Sequence, residues 1–262
     1  LMIDNIEFIS IEKAKEIVEN FHYSKVFPRI NKFAIGGFIQ DKLVAVMLCG
    51  YGTRPLHTIK KIFPTLGVKD YIELGKLCVN DICPKNTESY FISKCIKLIK
   101  SKYPQYKVLF SWADGIIGKP GFVYQCSNFY YGGYIITEMY IDKNGNRVHP
   151  RSIQGVSTGK KADGAKFKSR AYDVTVSMGY KKYFGYQFRY VYPLCNKKEW
   201  GELLKTSPFE WKRNGYPKDN DCKWKEQIYK GKRIDCEKPP FNTTKYVKKE
   251  DGTISLFFNK TN

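Results

Sequence analysis

The sequence predicts an α/β fold of the α+β type, in which one mixed sheet carries helices on its faces. Segments with helical spacing alternate with apolar runs typical of buried strands, in the order helix, hairpin, strand, helix, strand, helix, strand. After about residue 196 the chain becomes polar and rich in Pro, Gly and Asn, although it keeps Trp211 and Trp224. We therefore expect a catalytic domain over residues 1–195 and a C-terminal extension over 196–262 that wraps on it.

The first predicted elements are a helix and a hairpin. Residues 11–22 place apolar side chains every three or four positions, which indicates an amphipathic helix. Residues 33–39 and 43–49 are apolar runs joined by three polar residues, which is typical of a hairpin of buried strands. The segment 51–67 contains Pro and Gly, so we expect it to be less regular.

The later elements alternate between strand and helix. Further strands are predicted at 70–79, 107–113, 133–141 and 184–194. A helical stripe covers 88–102, where Asn86 or Thr87 can cap the first turn. A short helix over 120–129 can begin at Pro120, because proline is favoured in a first turn.

The charge of the chain indicates its class of partner. The formal net charge is +20 over 262 residues, an excess that points to a polyanion. Nucleic acid is the leading candidate and a membrane surface the second, but no strongly amphipathic basic helix stands out. A basic composition that serves solubility alone is the remaining alternative.

The stretch 156–170 is strongly cationic, with five basic residues and one acid. A loop of this kind can follow a phosphate backbone, and a solvated surface loop is the alternative. The residues predicted to contact nucleic acid are Lys25, Arg29, Arg147, His149, Arg151, Lys160, Lys161, Lys166, Lys168 and Arg170.

Several classes of protein are disfavoured by what the sequence lacks. No apolar run approaches the roughly 20 residues that cross a bilayer, and no secretory signal is visible. The eight cysteines form no CxxC pair and no two histidines have metal-ligand spacing, so we predict no metal site. Reduced thiols in a cytoplasm fit this pattern best.

Asp114 is the first candidate catalytic residue. It follows a buried strand, at the position where open sheets commonly bind ligands. Its alternative role is to form a turn before Gly115. If 120–129 is helical, Tyr124 and Asn128 share one face. A carboxylate and a phenol there can bracket an amine and move its proton.

His22 and Ser89 are two further candidates. His22 lies where the first helix ends, and its alternative role is that of a half-buried helix-end residue. Ser89 and the amides of 86–89 can hold a phosphate or a carbonyl oxygen, whereas simple capping by Asn86, Thr87 and Ser89 is equally open. No glycine-rich phosphate loop is present, which argues against a kinase or a dinucleotide enzyme.

Three segments together resemble the Mom family of phage DNA-modification proteins. They are HYSKVFP at 22–28, YIELGKLCVNDICPKNTESYFISKCI at 71–96 and SWADGIIGKPGFVYQCSNFYYGG at 111–133, followed by RVHPRS at 147–152. The resemblance covers about residues 5–195. It implies a GNAT-like, mostly antiparallel sheet and an enzyme that adds a carbamoylmethyl group to adenine N6 in DNA. The modification protects phage DNA from restriction in the host cytoplasm.

The resemblance also implies a set of catalytic residues. The functional positions of the family fall on His22, Ser89, Asp114 and Tyr124. A fifth position, an arginine in the family, is Lys76 here. Lysine keeps the positive charge but lacks the bidentate fork of the guanidinium.

The group donor stays open at this point. GNAT enzymes bind acetyl-CoA with a glycine-rich pyrophosphate loop, but this chain has CPKNTES there. Acetyl-CoA and a glycyl-type donor are both considered, with Asn86, Thr87, Ser89 and Asn128 as predicted donor-binding residues. A glycyl ester has the right atoms, although a rearrangement would be needed to give the carbamoylmethyl group.

The resemblance implies double-stranded DNA as the partner. We expect the target adenine to leave the stack and to lie against Tyr23, Tyr124 or Tyr130. Two alternatives are a GNAT-like enzyme that acts on RNA or protein amines and a non-catalytic nucleic-acid-binding protein.

Overall fold

The structure, a computed structural model, describes residues 2–24, 26–81, 83–148 and 172–241. The strands are β1 (Asn5–Ile9), β2 (Asn31–Ile39), β3 (Lys42–Gly50), β4 (Tyr71–Val79), β5 (Val108–Ala113), β6 (Tyr130–Ile141), β7 (Arg147–Val148), β8 (Lys181–Pro193), β9 (Trp224–Tyr229) and β10 (Lys232–Cys236). The helices are α1 (Ile11–Phe21), α2 (Pro55–Ile62), α3 (Thr87–Lys102), α4 (Phe122–Cys126), α5 (Tyr172–Ser177) and α6 (Lys197–Thr206).

Within the described residues the strands form one ten-stranded sheet. Its order is β1-β2-β3-β4-β5-β8-β6-β7, and β9 pairs with β8 and with β10. Every pair is antiparallel except β4–β5. The predicted mixed, mostly antiparallel sheet flanked by helices is therefore confirmed. No described helix is long and apolar enough to cross a bilayer.

Apolar clusters cover both faces of the sheet, as alternation along β5 shows. Leu109 belongs to one cluster, with residues of α3, whereas Val108 and Phe110 belong to another, with residues of α2 and α6. Since successive side chains of a strand point to opposite faces, α3 lies on one side and α2 and α6 on the other. A third cluster holds α1 against β2 and β3 through Ala14 and Ile17.

Helix α2 lies inside the segment that the sequence predicted to be irregular, so that prediction was wrong. Pro55 occupies the first turn of this helix, where its missing N–H costs little. Ile59 and Ile62 are buried against the sheet. Two buried positions in eight residues are too few for a clear helical period, which explains why the sequence pattern missed the helix.

A β-bulge divides β4. Leu48 of β3 pairs with Lys76, whereas the next residue, Cys49, pairs with Leu74. Gly75 is therefore an extra residue on β4, and an extra residue bends its strand.

Beside this bulge, β4 and β5 separate. Their parallel pairing covers Tyr71–Glu73 with Val108–Phe110. Beyond Glu73, β4 follows β3 while β5 follows β8, from Val108 to Ala113. The sheet thus opens into a wedge between the second half of β4 and the end of β5.

The described part of the C-terminal residues packs on the rest of the chain. Asn196 and Glu199 form a capping box at the start of α6, and Lys107 forms an ion pair of 2.5 Å with Glu199. Trp200 and Trp211 are buried in the cluster of α2. The division of the chain at residue 195 stays a prediction.

Candidate active site

A cavity of about 1200 Å³ lies in the wedge between β4 and β5. Its wall comes from the end of α1 and the loop after it, from β4, from the end of β5 with residues 114–121, and from β6. A cavity of this size has room for a nucleoside or a drug-sized ligand.

Asp114 lies in the wall of this cavity, directly after β5. Its Oδ2 accepts a hydrogen bond of 2.7 Å from the hydroxyl of Tyr23, and its Oδ1 accepts one of 3.3 Å from Nε2 of Gln187. The turn that follows is closed by its backbone instead, since Ile117 N and Lys119 N donate to the Asp114 carbonyl. The carboxylate is therefore not used to form the turn, which was its alternative role.

Tyr23 is held as a neutral donor to Asp114. Burial is the main cause that raises the pKa of Tyr23 well above its ordinary value, and the charge of Asp114 and their hydrogen bond add to it. Two cations lie over its ring: Nζ of Lys119 is 4.0 Å and the guanidinium carbon of Arg147 is 5.9 Å from the centroid.

Tyr124 is buried in the same cavity wall, but its hydroxyl bonds Ser111 and not Asp114. It lies 2.8 Å from Oγ of Ser111, which in turn lies 2.9 Å from the Leu74 carbonyl oxygen. The hydroxyl of Ser111 has one proton to donate. When it donates to Tyr124, the phenol proton points elsewhere; when it donates to Leu74, Tyr124 donates to the serine. Burial raises the pKa of Tyr124 to about 12.

His22 and Lys76 both contact the backbone of Ser24. Nδ1 of His22 lies 2.9 Å from Ser24 N and 3.0 Å from Ser24 O, and Nζ of Lys76 donates to Ser24 O at 2.9 Å. The amide of Ser24 can only donate and its carbonyl can only accept, so the tautomer of His22 decides which of the two Nδ1 bonds. The ring of His22 lies 4.2 Å from that of Tyr23. His22 and Lys76 therefore shape the turn that presents Tyr23.

The predicted donor-binding residues do not line the cavity. The hydroxyl of Ser89 donates to Asn86 O, and that of Thr87 donates to Pro84 O. Asn128 was predicted to share a helical face with Tyr124, and this was wrong. Helix α4 ends at Cys126, and Asn128 is exposed in a left-handed turn with φ of 59°. Donor binding by these four residues stays a prediction that their placement does not support.

The loop before α3 lacks the glycine-rich sequence with which GNAT enzymes bind the pyrophosphate of CoA. A phosphate cradle needs free backbone amides. Pro84 has no amide hydrogen, and the amide of Thr87 already donates to Pro84 O. Asn86 is the N-cap residue of α3, and its side chain makes no hydrogen bond to the amides of the first turn.

Five cationic residues line the cavity, and Lys76, described above, is one of them. Arg29 and Arg147 were predicted to contact nucleic acid, whereas Arg54 and Lys119 were not. The other predicted contact residues lie outside the described residues: Lys25, His149, Arg151, Lys160, Lys161, Lys166, Lys168 and Arg170.

Sequence reasoning missed several polar residues of the cavity wall. Gln187 holds Asp114, Glu73 is one of three further carboxylates of the wall, and Trp112 adds an indole ring. Glu73 and Gln187 each interrupt an apolar strand, which is the signal that could have found them. In the part of the chain that the structure describes, no group of three His, Cys, Asp or Glu could hold a metal ion.

A model of the Mom protein family matches residues 5–218. The chain belongs to the Mom family. The match confirms the family that the sequence motifs indicated, and it extends past residue 195. Methylcarbamoylase Mom of Escherichia phage Mu is 30% identical to this Mom-family chain over 154 residues, which cover 59% of the chain and 63% of the relative. The chain thus matches less than two thirds of the length of that relative.

Two solved structures are also similar to the Mom-family chain. One is a Bacillus subtilis acetyltransferase in complex with CoA, with a TM-score of 0.39 and 12% identity over 73% of this chain and 99% of that one. The other is an N-acetyltransferase from Staphylococcus aureus Mu50, with a TM-score of 0.37 and 13% identity over 75% of this chain and 100% of that one. Likeness at this level assigns no ligand and no reaction to the Mom-family chain.

Proposed function

We propose that this chain is a DNA-modifying transferase that adds a carbamoylmethyl group to N6 of adenine and so protects phage DNA from restriction. The observation that carries the proposal is the Asp114 carboxylate, which is held by Tyr23 and Gln187 in the wall of a cavity that cations border. The similarity to methylcarbamoylase Mom of phage Mu supports the same reaction class.

The charge of the chain supports a DNA substrate. Arg29, Arg54, Lys119 and Arg147 line the cavity, and the net charge of the chain is +20. Contacts of this kind neutralise phosphates and position a duplex without reading its sequence. DNA binding by this surface is therefore expected to weaken steeply as salt is added.

The target adenine has to leave the duplex to react. Its exocyclic amine is paired within the stack, and enzymes that act on such atoms extrude the nucleotide into a pocket. The cavity of about 1200 Å³ has room for one base with its sugar.

The proton balance assigns roles to Asp114 and Tyr124. As the bond between N6 and the donor carbon forms, N6 loses one proton, which the Asp114 carboxylate accepts. The bond between that carbon and the leaving group breaks, and the leaving group takes its electron pair and a proton from Tyr124. With a pKa of about 12, Tyr124 is protonated at neutral pH and can donate. Both side chains exchange protons with solvent afterwards.

The donor must supply two carbons and a nitrogen. A glycyl ester has these atoms, but attack on its carbonyl gives a glycyl amide, so a rearrangement would have to follow. CoA is not proposed as the carrier of the donor group, because the loop before α3 lacks the glycine-rich sequence that binds its pyrophosphate.

Mass spectrometry of nucleosides tests the proposal. DNA from cells that express the chain should contain a deoxyadenosine that is heavier by a carbamoylmethyl group in place of one hydrogen. The same adduct on RNA or on protein, with unmodified DNA, would identify a different amine acceptor. No adduct on any of the three, together with salt-sensitive DNA binding, would identify a non-catalytic binding protein.

A further inference from the structure

Trp112 lies beside Asp114 on the same face of the sheet. Trp112 lies in β5 and Asp114 follows the strand directly, and side chains two positions apart along a strand share a face about 7 Å apart. The cross-strand partner of Trp112 is Arg189, and Gln187, two positions before Arg189, bonds Asp114. Both Trp112 and Asp114 line the cavity.

One side of the indole of Trp112 is covered by protein. The guanidinium carbon of Arg189 lies 5.4 Å from the centroid of the Trp112 ring and 3.9 Å from that of Phe209. Arg189 is 3% exposed and donates to the Gly132 carbonyl oxygen. Phe110 meets the indole edge to face at 5.1 Å.

The exposed part of Trp112 borders the wedge. Pairing between β4 and β5 ends at Phe110, two residues before Trp112, so β4 places no paired neighbour beside it. Trp112 remains partly exposed there and faces the cavity.

The tyrosines that the sequence suggested as stacking partners are already covered by protein. Tyr23 lies between His22 and Lys119. Tyr124 is 8% exposed and packs against Phe129 and Tyr190. Tyr130 is not part of the cavity wall, and its ring contacts Trp200 and Arg213 instead.

From this arrangement we infer that Trp112 is the surface on which the extruded adenine stacks, so that its N6 amine reaches the carboxylate of Asp114. The inference rests on the proposed function and names the residue that holds its substrate. Stacking on an aromatic ring is tolerant of base identity, so Trp112 supplies binding and orientation, whereas Asp114 meets the amine.

Two substitutions of Trp112 separate stacking from simple packing. Trp112→Phe keeps an aromatic face, whereas Trp112→Leu keeps apolar volume without one. In cells with limiting expression, we expect Trp112→Leu to lower the modified fraction of adenine about tenfold or more, and Trp112→Phe to lower it by less than about threefold. Trp224→Phe is the matched control, because Trp224 is partly buried but outside the cavity wall. An equal modified fraction of adenine with Trp112→Leu and Trp112→Phe overturns the inference.

A nucleotide titration provides a readout that does not need activity. Deoxyadenosine monophosphate should quench part of the tryptophan emission in a saturable way, and this part should be lost in Trp112→Phe but kept in Trp224→Phe. Deoxyribose 5-phosphate, which lacks the base, should leave the emission unchanged. Quenching that is unaltered in Trp112→Phe overturns the inference. If DNA of cells with the wild-type chain is unmodified, the proposed function fails, while this titration still decides whether Trp112 stacks a purine.

Discussion

The hydroxyl of Tyr23 donates a hydrogen bond of 2.7 Å to Oδ2 of Asp114, although the two residues are 91 positions apart. The bond joins the turn after α1 to the end of β5 across the wedge of the sheet. Hydrogen bonds to charged acceptors are the stronger ones in proteins, so Tyr23 fixes the direction of the carboxylate. Asp114 still has lone pairs for a substrate amine, because a carboxylate can accept about four hydrogen bonds.

Tyr23→Phe removes this bond and leaves the ring in place. A hydrogen bond to a charged group contributes about 1.5–3 kcal/mol, so we expect product formation to fall roughly tenfold to a hundredfold. The modified fraction of adenine in cellular DNA measures the effect. Tyr90→Phe, on the outer part of α3, is the control that should retain full product. A Tyr23→Phe variant as active as wild type would remove this bond from the mechanism.

Tyr124→Phe should abolish proton donation to the leaving group. General acids contribute about 10² to 10⁴-fold, so the product should fall by at least about a hundredfold. Tyr190→Phe is a matched control, since Tyr190 is a buried tyrosine beside Tyr124 whose hydroxyl donates to Pro120 O at 2.6 Å. Thermal unfolding should show similar losses of stability in the two variants, with product retained only in Tyr190→Phe. Equal product from both would exclude Tyr124 as the acid.

Deprotonation of Tyr124 should not lower activity until the pH approaches about 12. The folded pKa is about 12 and lies above the ordinary value of 10.0, so the phenol keeps its proton through neutral and mildly alkaline pH. The stability linked to this proton is fully present below the ordinary pKa and is lost as pH rises through the folded pKa. Absorbance of tyrosinate in wild type and Tyr124→Phe checks this, since their difference should appear only well above pH 10. A difference near or below that pH would contradict it.

Gly132→Ala should destabilise the packing of the C-terminal residues on the sheet. A Cβ at Gly132 would lie 2.3 Å from the ring of Trp211, and such overpacking costs about 1–3 kcal/mol. Gly201→Ala in α6 is the control, because its Cβ meets nothing within 4 Å and alanine favours a helix. In urea unfolding, the free energy of unfolding should therefore be lower than that of wild type for Gly132→Ala and higher for Gly201→Ala. A stable Gly132→Ala variant would contradict the position of Trp211.

The ion pair of Lys107 with Glu199 should make stability depend on pH. The hydrogen bond from Lys107 is the main cause that lowers the pKa of Glu199. A lowered folded pKa contributes stability above the ordinary pKa, and this is lost as pH falls through the folded value. Glu199→Gln keeps an oxygen for the capping box but not the charge. The unfolding midpoint of Glu199→Gln should lie below that of wild type at neutral pH and should match it in strong acid. A difference between the two midpoints that persists in strong acid would contradict the ion pair.

Local patterns predicted the central elements of the sheet, but not β1, β9, β10 or α6. Helix α1 and the hairpin of β2 and β3 follow from periods of 3.6 and 2 in neighbouring residues, which depend little on the rest of the chain. Helix α2 was missed because only Ile59 and Ile62 mark its buried side. The end of α4 was missed because the left-handed turn at Asn128 has no strong signal before it.

Several predicted residues line the cavity, among them His22 and Lys76 from two other segments. Asp114 and Tyr124 lie ten positions apart in one motif, and both line the cavity. The partners of Asp114, by contrast, come from Tyr23 and Gln187, far away in the sequence. Their approach depends on the order of strands in the sheet, which does not follow from local pattern.

The most direct test of the central claim compares wild type with Asp114→Asn, which keeps the shape of the side chain and removes its charge. Nucleosides from the DNA of expressing cells are analysed by mass spectrometry, and binding of the purified proteins to duplex DNA is measured over a range of salt. We predict a carbamoylmethyl deoxyadenosine with wild type, none with Asp114→Asn, and the same salt-dependent binding for both. Modified deoxyadenosine at the wild-type level from Asp114→Asn would contradict the account.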